Sequence, residues 1–93
     1  MAKKWKKLFV SVDWVEQVNT EKEWNKALVD TLQLALKAGA RLDSVERLPP
    51  RENCDAESYL IKLKVEGERK SKDLMDLLVE TIGPGEVGEG DPD

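Results

Sequence analysis

Between residues 58 and 66 the chain alternates without a break. Tyr59, Ile61, Leu63 and Val65 fall on one side, and Leu60, Lys62, Lys64 and Glu66 on the other. An extended strand puts every second residue on one face, so this stretch calls for a β-sheet with one apolar side. Residues 8–15 repeat the pattern, with Leu8, Val10, Val12 and Trp14 set against Phe9, Ser11 and Asp13. Trp5 is in phase with Phe9, so the second face is expected to be partly covered as well.

A one-sided sheet needs a cover, and two segments have the spacing to supply it. Thr20 followed by Glu23 is a capping-box pattern, and the helix it opens is predicted to run to about Ala38. Trp24, Ala27, Leu28, Leu34, Ala35 and Ala38 recur at helical spacing, Leu32 and Leu36 widen the stripe, and Gly39 ends it. A second helix is predicted from a Ser71 cap, with Asp73 near its positive end. Leu74, Met75, Leu77, Leu78, Val79 and Ile82 form its apolar side, and Gly83-Pro84-Gly85 its stop. Residues 40–48 form a weaker strand. The Leu42 to Val45 spacing breaks alternation and predicts a bulge, and Pro49-Pro50 ends the strand.

The order strand, helix, strand, strand, helix makes a split βαβ. The predicted fold class is α+β: a two-layer ferredoxin-like βαββα(β) arrangement, with two helices on one face of a mainly antiparallel sheet and a last strand short or missing. Residues 1–83 are read as one domain, since 93 residues suffice for a single modest core. Residues 84–93 carry one apolar residue, Val87, among glycines, prolines and acids, and are read as a disordered acidic tail. A missing last strand leaves an open sheet edge, and the predicted partner is another protein or a second copy of this chain, a homodimer by edge pairing.

Charge and chemistry narrow the function. Hydrophobic residues make up 40% of the chain and charged residues 37%, and no apolar run approaches the roughly 20 residues a bilayer requires, so a membrane protein is not expected. The start is read without a signal peptide. Cys54 is the only cysteine and fits a reducing compartment, with the cytoplasm as the expected location. Histidine is absent, which removes the commonest general base and metal ligand. No cofactor motif is present, so no cofactor, metal or catalytic residue is assigned. Asp13, Glu16 and Glu23 could offer oxygen ligands to a hard cation, but solvation and capping account for them better.

The junction Ala35-Leu36-Lys37-Ala38-Gly39-Ala40-Arg41-Leu42-Asp43-Ser44-Val45-Glu46 resembles the helix-to-strand junction of ACT-type regulatory domains, and the order of elements across residues 8–82 fits that layout. The resemblance implies the fold. The family's ligand turn, an Asp-x-Pro-Gly-like sequence, corresponds here to residues 13–20, which hold neither glycine nor proline.

The expected function is that of a small non-enzymatic interaction or regulatory module. One alternative is a nucleic-acid-associated accessory protein using the basic head Lys3, Lys4, Trp5, Lys6 and Lys7, with Trp5 as a stacking platform. The net charge of −4 weighs against it. A third reading is an ACT-like small-ligand sensor. Trp14 and Trp24 complete the candidate residues, as a pocket lining or as core packing.

Overall fold

The first strand, β1 (Trp5–Trp14), lies antiparallel beside β3 (Glu57–Glu66), with Leu8 opposite Leu63 and Val10 opposite Ile61. The structure, a computed structural model, describes residues 4–15, 17–50 and 56–90. Between these strands run α1 (Glu21–Lys37) and β2 (Arg41–Leu48), and after them come α2 (Glu68–Ile82) and β4 (Gly85–Glu89). The sheet order is β2-β3-β1-β4, with every neighbouring pair antiparallel. β1 and β2 are therefore parallel to each other across β3, as are β3 and β4 across β1. This is the doubled split βαβ of the ferredoxin-like layout.

Both helices cover one face. Leu8, Val10 and Val12 of β1 and Ile61, Leu63 and Val65 of β3 are buried against Trp24 and Ala35 of α1 and Leu74, Leu78 and Ile82 of α2. The predicted bulge in β2 lies between Leu42 and Ser44, where the register with β3 slips by one residue.

Thr20 caps α1 as predicted. Its hydroxyl accepts from the Glu23 amide at 3.2 Å, and the Glu23 carboxylate accepts from the Thr20 amide at 3.2 Å. Thr20→Ala is expected to cost about 1 kcal/mol. It should lower the urea midpoint with an unchanged slope, and Thr20→Ser should restore most of the loss.

Three sequence expectations are corrected. Residues 85–89 are not a disordered tail: they form β4, which pairs with Leu8–Val12 of β1. The Asp13 amide donates to the Pro84 carbonyl at 3.0 Å, and the Gly90 amide to the Lys7 carbonyl at 2.8 Å. Val87 packs on the core, and these cross-strand bonds outweigh the poor strand propensity of a Gly-Glu-rich segment. The last strand is thus present, and the open edges are β2 and β4. Residues 91–93 and Cys54 lie outside the described residues.

The second correction concerns α2. It begins at Glu68, not at Ser71, and its N-cap is Gly67, whose φ of 87° suits glycine. Ser71 is fully buried inside the helix, and its hydroxyl has no hydrogen-bond partner. Glu68 supplies the negative charge of the first turn and pairs with Lys6 at 3.7 Å. The third concerns Leu36, Leu77 and Val79, assigned to buried stripes but exposed.

Candidate interaction surfaces

Strand alternation divides the basic head between the two sides of the sheet. Lys6 is half-buried toward α2, while Trp5 and Lys7 point to the face without helices, and Lys4 is exposed just before β1. Lys3 lies outside the described residues. On the helix-free face Lys7 stands opposite Lys64, and Lys64 opposite Arg41. Three cations thus form one row across β1, β3 and β2, spanning about 10 Å at ordinary strand spacing. Lys62 sits one position along the same face of β3, opposite Phe9.

Two aromatic side chains border the row. Trp5 is 37% exposed, and the Arg41 guanidinium lies 4.9 Å from its ring centre, a cation–π contact. Phe9 is half-buried and faces Gly88 of β4. A Cβ at Gly88 would stand 2.5 Å from the Phe9 ring, so that ring rests on the glycine backbone. Lys64 pairs with Asp43 at 3.8 Å, whereas among the described residues Lys7 and Lys62 have no ion pair. At the far end of this face the Asp13 carboxylate accepts from the Ser11 hydroxyl at 2.8 Å and from the Ser58 hydroxyl at 2.7 Å. Those bonds account for Asp13, and the capping box accounts for Glu23. Glu16 lies outside the described residues.

The other two candidates, Trp14 and Trp24, belong to the helix side. Trp24 is fully buried, stacks on Tyr59 at 4.1 Å and on Trp14 at 5.5 Å, and its Nε1–H donates to the Val12 carbonyl at 2.8 Å. It is core, not contact surface, because no part of its ring reaches solvent. The Arg47 guanidinium covers the stack at 5.3 Å and donates through Nε to Glu57 at 2.9 Å. That hydrogen bond and the Glu57 charge raise the Arg47 pKa above its ordinary value. Asn19 closes the β1–α1 loop. Its side-chain oxygen accepts from the Val15 amide at 3.0 Å, and its carbonyl accepts from Trp14 Nε1 at 3.2 Å.

The β2 edge is the remaining surface. Leu42 and Val45 stand opposite Leu63 and Ile61, on the helix side of the sheet, yet are 43% and 38% exposed. The α1 helix touches β2, and its Leu36 is 58% exposed. Sequence reasoning tied the open edge to a missing last strand, but that strand is β4, which pairs with β1. The cue to β2 was the weaker alternation of residues 40–48. Among the described residues no helix is long and apolar enough to cross a membrane.

No family model and no curated protein matches the sequence. Solved structures do match the fold. The C-terminal domain of the MgtC protein from Mycobacterium tuberculosis superposes with a TM-score of 0.63 at 15% identity, over 91% of this chain and 87% of that one. The 30S ribosomal protein S6 from Thermotoga maritima gives 0.59 at 12% identity, over 91% and 88%. Prephenate dehydratase from Streptococcus mutans gives 0.59 at 15% identity, over 95% of this chain and 43% of that one. At such identities the likeness is one of fold, and the resemblance to ACT-type domains holds at that level: the chain is an α+β domain of ferredoxin-like fold.

Proposed function

We propose that this chain is a small non-enzymatic interaction module that associates with a second copy of itself along β2. The observation that carries the reading is the combination of an unpaired strand edge with Leu42 and Val45 exposed on its helix side. A free edge offers backbone donors and acceptors, and exposed apolar groups beside it gain from being covered. The β4 edge is a poorer template, being five residues long with two glycines and two glutamates.

The same features limit the strength. The bulge at Asp43 shortens the run of regular backbone, and Arg41, Asp43, Glu46 and Arg47 must be kept hydrated or paired. Such an edge supports a small interface, with a dissociation constant of about 0.1–1 mM. An association this weak responds to local concentration, and a regulatory role of the module rests on that response. The β1–α1 loop, closed by Asn19, favours this reading over small-ligand sensing. A reducing location such as the cytoplasm suits a chain with one cysteine.

Light scattering tests the proposal. The weight-average mass is expected to rise toward that of a dimer as concentration approaches about 1 mM. Val45→Lys, at a half-exposed position, should leave the fold intact and abolish the rise. Val79→Lys, on the exposed side of α2, should leave the rise unchanged. A Val45→Lys variant that associates as well as the parent chain would overturn the reading.

A further inference from the structure

The row Lys7–Lys64–Arg41 works against folding. Like charges directly opposite one another on a sheet are destabilising. Among the described residues Lys64 pairs with Asp43 and Arg41 lies on the Trp5 ring, and Glu66, opposite Trp5, shares the face. Lys62 adds a fourth cation on the same face, again without an ion pair among the described residues. This concentration occurs on a chain whose net charge is −4, so it does not reflect a generally basic composition.

The aromatic border is equally specific. Gly88 is not among the glycines with positive φ, so its backbone does not demand glycine. The Phe9 ring, as it lies, occupies the space a Cβ at 88 would take, so glycine lets the ring lie flat against the β4 backbone. Glycine within a strand weakens it and marks the close approach of another group, here the ring that it supports. Trp5, held by Arg41, stands on the same face of β1. Cations that follow a phosphate backbone, with flat rings on which bases stack, are the two parts of a single-strand binding surface.

We propose that the helix-free face binds single-stranded nucleic acid. Lys7, Lys62, Lys64 and Arg41 contact the phosphates, and Phe9 and Trp5 stack with bases. An acidic peptide matches the cations but makes no use of the rings. A duplex matches the cations but keeps its bases stacked on each other. The patch is small and the rest of the surface acidic, so binding is weak and short-range. It does not depend on pairing along β2, which uses that strand's helix-side residues Leu42 and Val45 and its outer backbone.

Fluorescence anisotropy of the full chain with labelled oligo-dT and oligo-rU of about a dozen nucleotides tests the proposal. Binding should weaken with salt, with a slope of log K against log[salt] near about −2 to −3 for four contacts. Lys7→Gln with Lys64→Gln should lower affinity at least about tenfold, the size expected from losing two phosphate contacts. Phe9→Leu should lower it with little change of the salt slope. Lys22→Gln with Lys26→Gln, on the outer side of α1, should have no effect. Circular dichroism confirms that each variant is folded. Three results would each overturn the proposal: no binding in low salt, binding unaffected by the Lys7 and Lys64 changes, or equally tight binding of a duplex or a polyglutamate peptide.

Discussion

Replacing Trp24 with alanine is expected to cost about 4 kcal/mol of folding stability, a large part of the total for a domain of this size. Trp24 is the largest fully buried side chain, and it links three elements. Its ring stacks on Trp14 of β1 and Tyr59 of β3, and its indole N–H reaches back to the Val12 carbonyl. Tyr59 in turn donates to Asn25 at 2.8 Å, which ties the stack to the next residue of α1. Alanine would leave a cavity too large for the surrounding strands to close. Trp24→Phe keeps an aromatic ring but leaves the Val12 carbonyl without that donor, so a smaller loss of about 1–2 kcal/mol is expected. Urea unfolding followed by circular dichroism measures both. A loss below about 1 kcal/mol for Trp24→Ala would mean that the stack is not part of the core.

Gly85→Ala is expected to release β4 from the sheet. A Cβ at this position would stand 1.9 Å from the Ser11 carbonyl oxygen, a backbone atom of the adjoining strand, and φ is +150°. No side-chain rotation relieves that clash, so β4 must move. The expected cost is about 2–4 kcal/mol, and the Asp13 amide, which donates to the Pro84 carbonyl, should lose its protection from hydrogen exchange. Gly88→Ala provides the contrast. Its Cβ meets only the far end of the Phe9 ring, which can turn aside, so a loss of about 1 kcal/mol or less is expected. Equal losses for the two variants would contradict this placement of β4.

The elements with strong periodicity were legible. β1, β3 and α1 follow from alternation, helical spacing and the Thr20–Glu23 box, and even the β2 bulge is written in the Leu42 to Val45 spacing. What was hidden depends on contacts distant in sequence. β4 has one apolar residue and two glycines, so no local preference announces it; its stability comes from pairing with β1, some 75 residues earlier in the chain. The start of α2 was missed because Gly67 offers no capping side chain, whereas Ser71 looks like a cap and is buried inside the helix. The candidate surfaces were half legible. The basic head was visible, but its partition by strand alternation, and the alignment of Lys7 with Lys64 and Arg41, required the register of three strands. For Trp24, core packing was the favoured reading over a pocket lining, and its full burial agrees with it.

Association along β2 is tested most directly by amide correlation spectra of uniformly labelled chain, recorded from about 1 mM down to about 10 μM. Dilution should shift the amide signals of residues 41–48 along a single binding curve, with smaller changes near Leu36 and none along β4. Signals that do not move over that range, or that move along Gly85–Glu89 instead, would contradict it.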